Sequence, residues 1–339
     1  MPASVRIAIE DSSQCGEARR IALQMTREIG FDEVRAGQVA IVVTEACTNI
    51  LKHAGRGEIL LQVTDHGSED AIPEFELIAL DKGPGMSNIE ECLRDGYTTG
   101  SSPGQGLGAM RRQSHESDFY SVPGQGTAIL ARWPVANTGV RIFAEPRLRV
   151  GAVNVSKYGE EFCGDSWGVE QTDEVSTLLV ADGLGHGYEA SQASLEAVRI
   201  LRDNRELPPA TLIDLAHRAL KSLRGAAVSV ARLDRGRGKM TFSGLGNVTG
   251  QIYSGGGLSQ HLVSVNGTAG HQIARIREFS YAWPADGILV MHSDGLSTST
   301  SLESRPALAL CDPSLIAGVL YRDFSRGHDD ATVVVAKAA

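Results

Sequence analysis

The run Val175-Ser176-Thr177-Leu178-Leu179-Val180 ends in Ala181-Asp182-Gly183-Leu184-Gly185-His186-Gly187, and no other stretch constrains the chain as much. The run is rich in β-formers and apolar enough for a buried strand. One carboxylate therefore stands where a strand gives out, beside glycines that let something approach the backbone closely. A helical pattern follows from Glu189 to about Arg202. An acidic side chain with so little bulk around it suits a hard cation, which takes carboxylate and carbonyl oxygens, and Gly183 offers a carbonyl.

Three more acidic segments recur in similar settings. Asp165 lies in Gly164-Asp165-Ser166-Trp167, Asp294 follows the apolar run Ile288-Leu289-Val290, and Asp329-Asp330 precede Ala331-Thr332-Val333-Val334-Val335. Each flanks a strand-like run, and a sheet gathers strand ends that are far apart in sequence. Carboxylates sharing a small space need compensation, which divalent metals would supply. Ordinary turn aspartates are the plain alternative, since Asp favours turns.

The order Gly164-Asp165, Asp182-Gly183-Leu184-Gly185-His186-Gly187, Ser293-Asp294-Gly295 and Asp329-Asp330-Ala331-Thr332 resembles the PPM-type metal-dependent serine/threonine phosphatases, most of all their bacterial SpoIIE and RsbX branch. The resemblance covers about Val150 to Lys337. It implies an αββα sandwich holding two Mn²⁺ or Mg²⁺ ions. Asp182 would bridge them as the catalytic ligand, with the Gly183 carbonyl on one. Asp294 and Asp329 would complete the second, and Asp165 would anchor directly or through water. Asp330 stands where many members carry Asn and takes a supporting role. Two ions about 3.5–4 Å apart activate one water, which displaces a serine or threonine alkoxide without an enzyme nucleophile. His186 is either a general acid or packing beside the metal loop. His271, His292 and His328 read as structural, and Cys163, with no basic neighbour, as core. The larger eukaryotic members grip phosphate with an upstream arginine. Asn154 to Gly159 holds no counterpart, so phosphate binding is unexplained.

The first half carries a different pattern. Val5 to Ile9 reads as an edge strand and Asp11 to Gly30 as a helix capped by Asp11 or Ser12. Phe31 to Val34 is a junction. Gln38 to Ala54 is a helix with Val39, Val43, Cys47, Ile50, Leu51 and Ala54 on one face. Glu45, Asn49 and Lys52 fall opposite, where a solvated surface is the plain reading. Glu58 to Thr64 and Glu74 to Leu80 read as strands, followed by Asp81-Lys82-Gly83-Pro84-Gly85. The cluster Gly104-Gln105-Gly106-Leu107-Gly108 opens a helix, where backbone N–H groups can meet phosphate. It is neither a Rossmann nor a Walker A loop. A hairpin follows over Tyr120 to Trp133.

Together, Glu45-Ala46-Cys47-Thr48-Asn49, Asp81-x-Gly-x-Gly, the glycine cluster and Gly126-Thr127 resemble the GHKL (Bergerat) ATP-binding superfamily. Lys52-His53-Ala54 and the lid Asp95-Gly96-Tyr97-Thr98-Thr99-Gly100 look closest to anti-sigma serine kinases of the RsbW and RsbT kind. The resemblance implies ATP with Mg²⁺. Asn49 would hold the Mg²⁺ and Asp81 the adenine amino group, with Thr127 in support. Gly83 and Gly85 would leave room for the base, Gly104, Gly106 and Gly108 would wrap the phosphates, and Lys52 belongs to the same site. Glu45 would be the base that deprotonates an attacking hydroxyl.

The 339 residues suit two domains. The expected class is α+β, with a GHKL α/β sandwich at 1–134, a linker at 135–148 and the PPM-type sandwich at 149–339. A net charge of −9 gives nucleic acid no electrostatic support. The five cysteines are scattered without a Cys-x-x-Cys pair, which argues against zinc and for a reducing compartment. No apolar run reaches a membrane span and no secretion signal opens the chain, so a cytoplasmic protein without nucleic-acid or membrane partners is expected. The function so implied is a bifunctional bacterial signalling enzyme. Its first domain phosphorylates, and its second dephosphorylates, serine or threonine of a STAS-domain anti-sigma antagonist or similar switch protein. Alternatively the first domain binds ATP or a partner without transferring phosphate. A gyrase-like ATPase would need a longer first half.

Overall fold

Asp11 starts the first helix by pairing with its own neighbours. Its carboxylate accepts the Ser13 and Gln14 N–H groups while the Gln14 side chain accepts from the Asp11 N–H, a reciprocal capping box. The helix closes as cleanly: Gly30 donates to the Arg27 carbonyl and Phe31 to that of Thr26, a Schellman ending. The computed structural model describes residues 3–65, 67, 72–93, 106–136, 148–254, 259–273 and 275–338. The chain divides into two compact units, one holding the described residues of 4–64 and 72–136 and the other residues 3, 65 and 67 with the described residues of 148–338.

The first unit runs β1 (Val5–Ile9), α1 (Ser12–Glu28), α2 (Glu33–Asn49), β2 (Gly57–Thr64), β3 (Glu74–Asp81), α3 (Ile89–Cys92), α4 (Gly106–Gln113), β4 (Glu116–Val122) and β5 (Gly126–Pro134). Its sheet has the order β1-β2-β3-β5-β4, antiparallel throughout. Alternate residues Ile59 and Leu61, Phe75, Leu77 and Ala79, and Ile129, Ala131 and Trp133 face Val39, Val42, Val43, Ala46 and Cys47 of α2. That period of two against a helical stripe makes an α/β sandwich.

Two boundaries differ from the sequence reading. Asp32 caps α2 through Arg35 N–H, so the helix begins at Glu33 and absorbs part of the expected junction. It also does not continue regularly to Ala54, because Ile50–Ala54 forms a π turn. The wider turn leaves Leu51 and Ala54 half-buried, and Ala54 sits against Gly83. π turns of this kind recur at functional sites.

The second unit runs β6 (Leu148–Val155), β7 (Asp165–Gln171), β8 (Val175–Gly183), α5 (Tyr188–Asp203), α6 (Pro209–Ala219), β9 (Ala226–Asp234), β10 (Lys239–Leu245), β11 (Thr249–Tyr253), β12 (Ser259–His261), β13 (Ser264–Val265), β14 (Phe279–Ala282), β15 (Ile288–His292), α7 (Pro306–Ala309), α8 (Pro313–Phe324) and β16 (Ala331–Ala338). One sheet is ordered β13-β10-β9-β8-β7 with β14 on β10, and the other β12-β11-β15-β16-β6. Trp167, Leu178, Val180 and Phe242 of the first meet Val150, Leu289, Met291 and Val334 of the second in a shared core. A further core joins Leu179, Ala181, Val228 and Val230 to α5 and α6, and α8 packs on β6 and β16. This is an αββα sandwich.

Candidate functional site

Strand register creates an electrostatic problem in the second unit. β7 and β8 pair antiparallel with Asp165 directly opposite Asp182, an arrangement that destabilises a sheet when both side chains are charged. The other acidic loops close on the same place. A side-chain carbon built on Gly164 would stand 2.7 Å from Asp330 Oδ2, and one on Gly295 would collide with the Asp330 carbonyl. Gly183 donates its N–H to the Gly164 carbonyl at 3.2 Å. The four acidic segments therefore meet backbone to backbone.

The charges respond. Burial, followed by Asp165, Asp294, Asp329 and Asp330, pushes the Asp182 carboxyl up to about 9. Burial also pushes Asp165 up to about 7, against a Ser293 hydrogen bond and with Asp330 adding to the rise. Asp330 is raised by burial despite a backbone donor at Lys157. Asp165 Oδ2 and Asp330 Oδ2 are buried without a hydrogen-bond partner among the described residues, a costly state for an oxygen. Uncompensated carboxylates and orphaned oxygens fit a hard divalent cation, and an oxygen-only donor set suits Mg²⁺ or Mn²⁺. No three acidic, histidine or cysteine groups among the described residues stand at the spacing of a single ligand shell. The site supplies the charge and the free oxygens, but its shell is not drawn tight.

The adjacent pair Asp329-Asp330 divides by burial. Asp329 is exposed and its Oδ1 accepts the Asp330 N–H at 3.0 Å, while Asp330 is buried. Asn247, which no motif marked, donates to Asp294 Oδ2 at 2.7 Å; its position at a strand end after Gly246 was the available signal. His186 Nδ1 lies 2.6 Å from Glu160 Oε1. Cys163 is buried with its sulfur 2.7 Å from Asn154 Oδ1, and burial raises its thiol well above the usual range. His271 Nε2, His292 Nδ1 and His328 Nδ1 each lie within 2.8 Å of a backbone carbonyl oxygen. None of the five cysteines forms a disulfide.

In the first unit, Gly106 draws the polar face of α2 together. A side-chain carbon built there would stand 3.3 Å from Asn49 Oδ1 and 3.5 Å from Glu45 Oε2, so Glu45 and Asn49 border one space at the start of α4. The Asn49 amide also reaches Met110 sulfur at 3.8 Å. Asp81 sits at the end of β3, where its Oδ1 accepts the Gly83 N–H at 2.8 Å and the Thr127 N–H at 3.2 Å. Thr127 Oγ1 is 3.0 Å from Ser121 Oγ, which also receives the Met86 N–H. Gly85 packs against the Val122 carbonyl, Gly108 is buried in α4 and Lys52 is exposed on the π turn. Gly104, the lid 95–100 and linker residues 137–147 lie outside the described residues.

Residues 10–133 match the histidine kinase-like ATPase domain family, and residues 172–339 match the stage II sporulation protein E (SpoIIE) family. The chain is 34% identical over 118 residues to the serine/threonine-protein kinase RsbT of Bacillus subtilis (strain 168), covering 34% of this chain and 86% of RsbT. It is 24% identical over 143 residues to the phosphoserine phosphatase RsbX of the same organism, covering 42% of this chain and 72% of RsbX. A crystal structure of RsbX in complex with magnesium superposes with a TM-score of 0.51 at 21% identity, covering 57% of this chain and 96% of that one. That last likeness is one of fold. No helix among the described residues is long and apolar enough to cross a membrane.

Proposed function

Since the chain belongs to the histidine kinase-like ATPase domain family in its first half and to the SpoIIE family in its second, we propose that it is a bifunctional partner-switching enzyme. The first domain phosphorylates serine or threonine on a small STAS-type regulator, and the second is a metal-dependent phosphoserine/phosphothreonine phosphatase acting on such a protein. The observation that carries the phosphatase reading is the gathering of four aspartates around Asp182, with its carboxyl pushed up to about 9.

In that reading Asp182, Asp165, Asp294, Asp329 and the Gly183 carbonyl hold two Mn²⁺ or Mg²⁺ ions. The ions, when bound, supply Lewis acidity that makes water nucleophilic toward phosphorus. Asp330 holds the Lys157 N–H through one oxygen and keeps the other free toward Gly164, so it shapes the ligand loops from behind. Asn247 orients Asp294 by holding one of its oxygens.

In the first domain Glu45 is the base toward an acceptor hydroxyl. Asn49, beside it at the start of α4, offers its carbonyl oxygen to the Mg²⁺ of ATP. Asp81 Oδ1 is already occupied by two backbone donors, which orient the carboxylate so that its second oxygen can accept from an adenine amino group. The RsbT likeness and the shared space of Glu45, Asn49 and Gly106 support phosphoryl transfer.

The test uses full-length protein with a purified STAS regulator. Labelled ATP should phosphorylate the regulator, and Glu45→Ala should abolish transfer. Phosphate release from the phosphorylated regulator should require Mn²⁺ or Mg²⁺ and be lost in Asp182→Asn. Transfer undiminished in Glu45→Ala would remove the kinase assignment, and metal-independent release would remove the phosphatase one.

A further inference from the structure

A phosphatase centre built from five aspartates repels its own substrate. Two divalent ions would offset four of the charges on Asp165, Asp182, Asp294, Asp329 and Asp330, and a phosphomonoester brings roughly two more negative charges. A cation at the mouth is therefore required, and the sequence marked none. Resting on the phosphatase reading above, the geometry points to Arg224 as the side chain that receives the substrate's phosphoryl oxygens.

Arg224 comes to the metal loop by strand register. β9 pairs with β8 so that Ala227 faces Asp182 and Ala226 faces Gly183. The ladder runs on beyond both strands, because Leu184 donates its N–H to the Gly225 carbonyl at 3.0 Å. Continued by one residue, that register brings Arg224 beside Gly185, three residues along the chain from Asp182. The side chain folds back over the loop: a carbon built on Gly185 would stand 3.1 Å from Arg224 Nη1. The backbone beneath it is fixed. Ala226 and Ala269 exchange both hydrogen bonds, and His271 Nε2 lies 2.7 Å from the Arg224 carbonyl oxygen.

The guanidinium itself is not fixed. Its partner is Glu189 in the first turn of α5, at 2.5 Å, with the two side chains 48% and 65% exposed. A pair so exposed adds little to stability, so an incoming phosphate can replace Glu189 at little cost. Arginine binds phosphate in a two-pronged geometry that a carboxylate partner also uses. Glu189 then acts as a placeholder that keeps the guanidinium at the loop until substrate arrives.

Arg326 is the rival cation, since its N–H donates to the Gly295 carbonyl at 2.9 Å. The experiment compares full-length parent, Arg224→Ala, Arg224→Lys, Glu189→Gln and Arg326→Ala, each with Mn²⁺. Inorganic phosphate binding is read by calorimetry, and KM and kcat on p-nitrophenyl phosphate in parallel. Arg224→Ala should weaken phosphate binding by about tenfold to a hundredfold, the loss expected for a charged hydrogen-bonding partner, and raise KM in proportion with kcat less affected. Arg224→Lys should recover part of the loss, and Glu189→Gln should tighten phosphate. Unchanged binding in Arg224→Ala, the loss appearing in Arg326→Ala instead, or an equal loss in Glu189→Gln would each overturn the assignment. A parent that binds no phosphate and hydrolyses nothing would overturn the phosphatase reading, and this inference with it.

Discussion

Burial and four neighbouring carboxylates push the Asp182 carboxyl up to about 9, and Asp165 opposite it up to about 7, from ordinary values of 3.8. The folded metal-free protein thus holds protons that the unfolded chain has released. Its stability is greatest below the ordinary carboxylate value and falls as pH rises through the window from 3.8 to about 9. The melting temperature of metal-free protein should therefore fall between about pH 5 and about pH 8. Asp182→Asn should flatten the slope, and a melting temperature that climbs over that range would refute the argument. A second residue carries the opposite lesson. Arg132 is buried beside the fully buried Glu76, at 2.6 Å, with Glu74 and Glu116 close by. Arg132→Met leaves the buried Glu76 without its cation and should cost about 3–5 kcal/mol, measurable as a lower urea midpoint. Sequence marked Asp182 by its setting but was silent on Arg132. It gave Asp329 a ligand's role and Asp330 a supporting one but not which of the two is buried, because only the start of β16 decides which of two adjacent carboxylates turns inward.

At the scale of elements, turns and registers set what the residues can do. Gly225 has φ +84, and a side-chain carbon there would stand 2.6 Å from the Ala269 carbonyl. Gly30, which ends α1, also has φ +84 but open space around it. Gly225→Ala should therefore cost more than Gly30→Ala. The second substitution carries only the backbone term of about 1 kcal/mol, and the first adds a collision for a total of about 2–3 kcal/mol. Paired urea titrations check the order, and equal losses would contradict it. The longer helices and most strands were legible because their caps and periodicities are local, while the four-residue helices α3 and α7 were not. β7 was marked only as a run beside Asp165, without bounds, because Ser166, Gly168, Glu170 and Gln171 are poor strand formers, yet six of its seven residues are buried. Gly168 admits Val198 of α5, Ser166 meets Ser194 at 2.8 Å, and Gln171 exchanges two hydrogen bonds with the Leu148 backbone. Partners distant in sequence make those residues acceptable inside, and no local pattern announces them. The π turn after Asn49 escaped for a related reason, since the spacing of apolar residues continues smoothly through it.

Across the whole molecule, the core beneath α1 and α2 is separate from the two cores of the second unit. A chain with independent cores departs from single-transition unfolding. Calorimetry should resolve two transitions, with Mn²⁺ raising one and ATP with Mg²⁺ the other. Ligand at about a hundred times its dissociation constant adds about 2.7 kcal/mol to the unit that binds it. One transition raised by both ligands would contradict this assignment. Sequence alone determined that two α+β units exist and marked the short motifs on which the proposed chemistry rests, because strand ends, glycine clusters and caps are written in consecutive residues. Only the tertiary structure decided which carboxylate is buried, that Asn247 holds Asp294 and that Arg224 overhangs the Asp182 loop. Those facts depend on the register between strands far apart in the chain, and register is set by packing across the whole sandwich.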